Sequence, residues 1–333
     1  MEGPPAPGSK RRFSVIFMGT PELAAHILKR LLATEEAPAR VAAVVTRPDQ
    51  PRGRGLKLHP SEVAEVAAQY GLPILKPTKI RTGEFLDQLK SYTPDLLVVA
   101  AYGRILPAAV LSTPALMPIN VHASLLPRHR GAAPIQGALL AGDKVGGVTI
   151  MRMVEQMDAG PILLQRQTPI APGETQASLT AKLAELGALA LLEALELLAR
   201  GELRETPQDE SQATYTALVK KPDALIDWNL PAEHIERMVR AYDPWPVAFT
   251  TCKGEEMRIY RAAVVEGSAG AAPGTIIEVK GPPIVQCGKG GLRLLEVQAA
   301  GRKRMKAEDF VRGRRLAVGE RLGQFASNPG SEP

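Results

Sequence analysis

The stretch FSVIFM at residues 13–18, broken by Gly19-Thr20-Pro21 and continued by ELAAHILKRLLA at 22–33, decides the fold class. A run this short, and apolar except for Ser14, reads as one strand. In the segment after it the apolar side chains recur three and four apart, with a proline at the first turn, which is how a helix starts. The alternation then repeats. VAAVVT (41–46) and DLLVVAA (95–101) are further apolar runs, with helix-like SEVAEVAAQY (61–70) and EFLDQLKSY (84–92) between them. Strands that are apolar on both faces need cover on both sides, so the expectation is an α/β fold: a parallel sheet covered by helices. INVHAS (119–124) and GVTIMRM (147–153) extend that sheet. The turn after the first strand has one glycine, Gly19, where a dinucleotide fingerprint needs three, which disfavours NAD.

The chain has 333 residues, of which 45% are hydrophobic, so it can bury a sizeable core and is not disordered over most of its length. At about 100–200 residues per domain, two domains are expected. SLTAKLAELGALALLEALELLARGEL (178–203) is a long helix closing the first domain, residues 1–203, with Gly201 as its stop. Residues 204–222 open a polar stretch without period, as a linker does. In 223–333, VAFTTC, MRIYRAAVV, GTIIEVK, PIVQC and GLRLLEV are short β-like runs separated by Gly and Pro. They suggest a small β-barrel of the oligonucleotide-binding (OB-like) type, with AEDFVRGRRLAVGE (307–320) as a terminal helix.

Cys252 and Cys287 are too few for a disulfide framework and lack the spacing of a metal site, so no metal is expected. No apolar leader and no run of about 18 apolar residues is visible, which points to the cytoplasm with no membrane contact. A monomer is the expected state. Net charge is +6, and residues 251–333 hold 14 Lys and Arg against 9 Asp and Glu. Such an excess is either a solvated surface or a nucleic-acid contact.

Asn120 and His122, two apart near the end of a strand, project to the same face. In open α/β sheets ligands gather at the carboxyl ends of strands, where an amide donor beside an imidazole suits polarisation of a carbonyl. A polar strand end capping a turn is the alternative. Asp158, in an Asp-Ala-Gly-Pro sequence after the next strand, either orients His122 and moves a proton or simply bonds its own turn. Ser124-Leu125-Leu126-Pro127, followed by Arg128 and Arg130, reads as a loop with exposed apolar residues that could wall a flat heteroaromatic ligand. Arg52, Arg54 and Lys57, interleaved with glycines, could reach phosphates or form a solvated loop.

Taken together, Asn-x-His, Ser-Leu-Leu-Pro-x-x-Arg-Gly (124–131) and Met-Asp-x-Gly-Pro (157–161) resemble the formyltransferases that use 10-formyltetrahydrofolate. FMGTPELA (17–24), TRPDQPRGRGLKLHPSEV (46–63) and DWNLPAEHIERMVRAYDPWPVAF (227–249) carry the resemblance over roughly residues 12–320. It implies a Rossmann-like formyltransferase domain, with Asn120, His122 and Asp158 as the catalytic trio and Ser124, Leu125, Leu126 and Pro127 contacting the folate. It also implies that 10-formyltetrahydrofolate donates the formyl group and that the free amine of initiator methionyl-tRNA receives it. Arg52, Arg54 and Lys57, together with the OB-like domain, would hold the tRNA. The sequence departs from common members at His129, where an aromatic residue often stands, which puts the packing of that loop in question. A small amino-sugar or ribonucleotide amine is the alternative acceptor.

Overall fold

The computed structural model describes residues 12–52 and 57–323. The chain runs β1 (Phe13–Gly19), α1 (Glu22–Ala33), β2 (Ala39–Val45), β3 (Gln50–Arg52), β4 (Lys57–His59), α2 (Glu62–Gln69), β5 (Ile74–Leu75) and α3 (Gly83–Ser91). It continues through β6 (Leu96–Ala100), α4 (Ala108–Leu111), β7 (Met117–His122), β8 (Arg130–Gly131), α5 (Pro134–Ala141), β9 (Val145–Arg152), β10 (Ile162–Pro169), α6 (Gln176–Ala199) and β11 (Tyr215–Thr216). The last part holds α7 (Ala232–Ala241), β12 (Phe249–Cys252), β13 (Glu255–Val265), β14 (Ile276–Glu278), β15 (Ile284–Gln286), β16 (Gly291–Ala299), β17 (Met305–Lys306) and α8 (Ala307–Arg314).

Two compact units form. One comprises Met1–Pro134, Val145–Pro169 and Thr180–Ala217; the other comprises Ile135–Lys144, Ile170–Leu179 and Leu218–Pro333. This division differs from one cut after residue 203. Two short segments of the earlier sequence join the second unit, and the stretch expected as a linker, up to Ala217, belongs to the first.

The first unit is built on a seven-stranded sheet in the order β10-β9-β7-β6-β1-β2-β5. The β1–β2, β1–β6, β2–β5 and β6–β7 pairs are parallel. β9 runs antiparallel to β7, and β10 antiparallel to β9, so the sheet is mixed where a parallel one was expected. Burial explains the difference. β9 is as buried as the parallel strands of the sheet, so its apolar sequence carries no sign of direction. β10 was not anticipated because it is a half-exposed edge strand whose apolar start, Ile162 to Leu164, gives way to polar residues from Gln165 to Thr168. Alternate residues of three adjacent strands, Ile16, Met18, Ala43, Val45, Leu97 and Val99, share one core with Phe85 and Leu89 of α3 and Val110 and Leu111 of α4. That period of two is what a pleated strand imposes. Thr82 caps α3 by accepting from the Phe85 amide (3.4 Å), and Ser61 caps α2 by accepting from Ala64 (3.1 Å). α6 lies close over the sheet at Gly187, where a methyl group would stand 3.1 Å from Val121.

The second unit carries the antiparallel order β12-β13-β16-β15-β14, with β17 beside β16. Residues 319–323 lie between its two outer strands. Gly319 N–H donates to Ile276 O and Glu320 O accepts from Ile276 N on one side, while Gly323 N–H donates to Thr251 O on the other. Backbone bonding thus passes from β14 through this segment to β12, which removes the free edges as barrel closure does. The terminal helix is shorter than expected, because Arg315 takes a left-handed conformation (φ 50°) and ends α8. α7, also unanticipated, packs Ile235 and Val239 into the barrel core.

Candidate active site

β7 brings Asn120 and His122 to its carboxyl end on one face. His122 is 6% exposed, and its Nε2–H donates to the main-chain carbonyl of His129 at 3.0 Å. A carbonyl only accepts, so this bond places the proton on Nε2 and turns Nδ1 the other way. Nδ1 stands 3.8 Å from Asp158 Oδ2. The same carboxylate oxygen accepts the Gly131 amide at 2.8 Å. Asn120 is 9% exposed, and its amide has no protein hydrogen-bond partner among the described residues. An amide at the end of a strand without a protein partner is free to meet a ligand.

Asp158 is held in a left-handed conformation (φ 50°) in the turn after β9, and Gly160 makes this turn possible. A Cβ on Gly160 would lie 1.9 Å from Arg152 O. The loop after β7 is fastened from two strands. Thr149 Oγ1 on β9 donates to Ser124 O (2.7 Å) and accepts from Leu126 N (3.0 Å). Gln165 on β10 donates to Leu126 O at 2.9 Å. A cavity of about 520 Å³ lies elsewhere, lined by Pro118, Arg152, Met153 and Glu205 near the opposite end of β7, and it holds none of these site residues.

A buried imidazole facing a carboxylate beside an unpartnered amide can stabilise charge on a carbonyl oxygen and move a proton. The family described as formyl transferase matches residues 11–195, and its C-terminal domain matches residues 218–315. A methionyl-tRNA formyltransferase of Methylococcus capsulatus is 47% identical over 93% of this chain and 99% of its own length. One of Nitrosococcus oceani is 48% identical over 95% and 97%. The chain belongs to the methionyl-tRNA formyltransferase family. Among solved structures, the sugar 3N-formyltransferase WlaRD has a TM-score of 0.60 at 15% identity, covering 89% of this chain and 100% of that one. HypX of Aquifex aeolicus, crystallised with tetrahydrofolic acid, has a TM-score of 0.58 at 18% identity, covering 93% and 48%. At such identities the likeness speaks for the fold alone.

In this formyltransferase, His122 and Asp158 come together although 36 positions separate them in the chain. Asn120 joins them on the same strand face. The loop expected to expose apolar residues does so less than its sequence suggests. Leu126 and Ser124 are each 3% exposed, because Thr149 and Gln165 draw the loop backbone inward. Arg128 is exposed, but Arg130, expected beside it on the wall, is fully buried. His129 is buried as well, at φ 57°, so the departure at that position is accommodated and its carbonyl is the partner of His122. Arg52 and Lys57 are opposite one another in the short antiparallel ladder of β3 and β4, with Lys57 exposed. Arg54 lies outside the described residues.

Sequence reading missed Thr149, Gln165 and Gln208. A lone threonine in the apolar run GVTIMRM was the available signal for the first. Gln208 gave none, since it stands in a polar stretch that reads as solvated. Among the described residues no group of His, Cys, Asp and Glu could hold a metal ion, and no helix is long and apolar enough to cross a membrane.

Proposed function

We propose that the protein transfers the formyl group of 10-formyltetrahydrofolate to the free α-amine of initiator methionyl-tRNA, in the cytoplasm. The observation that carries this reading is the convergence of the unpartnered Asn120 amide with the His122–Asp158 pair, in a chain 47% identical to a methionyl-tRNA formyltransferase over 93% of its length. The uncharged amine attacks the formyl carbon and its nitrogen bonds there. Asn120 donates to the oxygen that takes up negative charge, and His122, fixed by its Nε2 bond to the His129 carbonyl, stands with Nδ1 beside Asp158. Asp158 accepts the proton released by the former amine. Collapse of the adduct breaks the bond to the folate nitrogen, which takes up the proton held by Asp158. Ser124 through Pro127 line the folate side, and Arg52, Arg54 and Lys57 meet tRNA phosphates, with the basic barrel as a second tRNA surface.

Labelled formyl transfer to initiator methionyl-tRNA, to elongator methionyl-tRNA, to deacylated tRNA and to small amino sugars tests the reading. Transfer to the initiator form alone is expected, and comparable transfer to a small amine would overturn it. Asn120→Ala and His122→Ala each lower kcat by at least about 100-fold, the typical loss of an oxyanion donor, with tRNA affinity unchanged. Turnover near that of the unmutated protein in both variants rejects the site.

A further inference from the structure

Arg130 is fully buried, and each of its five N–H groups has an acceptor. Nε and Nη2 donate to Gln208 Oε1 at 3.1 and 2.8 Å. Nη2 and Nη1 donate to the two carboxylate oxygens of Glu210 at 2.7 and 2.9 Å, and Nη1 also donates to the Tyr215 hydroxyl at 3.1 Å. All three acceptors lie in residues 204–217. The other end of the Gln208 side chain points at the catalytic turn, where Nε2 donates to Asp158 O at 2.8 Å and to Gly160 O at 2.7 Å. An arginine only donates and a carbonyl only accepts, so the group between them must accept at one end and donate at the other. A side-chain amide does this, whereas a carboxylate does not.

The residues flanking Arg130 contact the two catalytic side chains. The carbonyl of His129, on one side, accepts from His122, and the amide of Gly131, on the other, donates to Asp158 Oδ2. The backbone here is also held by β11, with Arg130 N–H donating to Thr214 O at 2.8 Å and Ala132 N–H to Thr216 O at 3.0 Å. We propose that Gln208, clamped to the buried guanidinium of Arg130, is a positioning residue of the transfer reaction, setting the separation of His122 and Asp158 from a segment that contains neither. This rests on the reading of the trio under the proposed function.

Gln208→Glu keeps an oxygen that accepts both Arg130 N–H groups but places a carboxylate against two carbonyls. Gln208→Ala removes both ends. Two readouts are taken on the full chain. In crystal structures of both variants, the Asp158 turn is expected to move and the Gly131–Asp158 bond to lengthen beyond hydrogen-bond distance. Persistence of that bond and of the His122–Asp158 separation in both overturns the proposal, whether or not the protein formylates tRNA. In kinetics, both variants are expected to lose about 10- to 100-fold in kcat, the scale set by a misplacement of roughly 1 Å, with KM for tRNA and folate within about twofold. A Gln208→Glu protein with unaltered kcat also overturns it, since anchoring Arg130 would then be the whole role. If Gln208→Ala fails to fold, as shown by circular dichroism, Gln208→Glu alone decides. Absence of transfer in the unmutated protein rejects the proposed function instead, and leaves the crystallographic readout to judge the positioning.

Discussion

A methyl group at position 160 is the smallest change that tests how Asp158 is held. With the ideal Cβ only 1.9 Å from Arg152 O, Gly160→Ala must push the turn away from β9, and Gly160 O is itself an acceptor of Gln208. The variant is expected to lose about 1–3 kcal/mol of stability, as overpacked sites do, and most of its transfer activity. Urea titration and a formylation assay check this, and an unchanged midpoint with full turnover would show that the turn yields freely. At this scale the sequence was legible where polar groups interrupt apolar strands. Asn120 and His122 stand out because burying them costs free energy that only a function or a partner offsets, whereas Asp158, in a turn, read equally as a residue bonding its own backbone. Arg130 and Gln208 were not legible, because a basic side chain in a loop is ordinarily solvated. Burial of Arg130 depends on acceptors about 80 positions away.

Among the elements, the segment from Glu205 to Ala217 differs most from its sequence reading. It is polar and without period, as a linker is, yet β11 pairs with β8 and Thr206 bridges to Ile162. Three of its polar side chains, Gln208, Glu210 and Tyr215, bond a buried arginine while most of the segment stays exposed, a use that composition does not distinguish. The Arg130 guanidinium, through its hydrogen bond, holds the Glu210 carboxyl below its ordinary value. A depressed carboxyl contributes stability that is present in full above the unfolded value, about 4.3, and is lost as pH falls through the lower folded value. The protection of the Arg130 and Ala132 amides, which donate to Thr214 and Thr216, relative to the intrinsic exchange rate at the same pH, is therefore expected to hold at neutral pH and to fall once pH drops below the ordinary carboxylate range. Glu210→Gln should quicken exchange at neutral pH and remove most of that acid step. Identical exchange profiles for the two proteins would disconnect Glu210 from the segment. Strand directions were illegible for a similar reason, since β9 and the parallel strands of the sheet bury the same residue types, whereas the existence of β1, β2, β6 and β7 was plain from their apolar runs.

For the molecule as a whole, the positions of the few cysteines and tryptophans provide a probe of one unit alone. Cys252, Cys287, Trp228 and Trp245 all fall in Leu218–Pro333. Both thiols are free and buried, and burial pushes Cys287 up to about 12 and raises Cys252. Near pH 8 neither is a thiolate in the folded protein, so thiol reagents should find them inert until the barrel opens. Closure of that barrel depends on residues 319–323. They bond to β14 and β12, Gly323 lies against the indole of Trp228, and Leu322, 5% exposed, belongs to the barrel core. Ending the chain after Val318 removes that leucine and every backbone bond between the segment and Gly274, Ile276 and Thr251. A buried leucine alone is worth about 2–5 kcal/mol when cut to alanine, so the shortened protein should be destabilised by at least that much. Its two thiols are expected to react with an aromatic disulfide at a rate that tracks urea concentration, together with a red shift of Trp228 emission. Leu322→Ala should fall between the two, because it keeps the backbone bonds and loses the side chain. If the shortened chain protects its thiols as long as the full one, the barrel holds itself closed without residues 319–323, and the bonding across β14 and β12 contributes nothing to its stability.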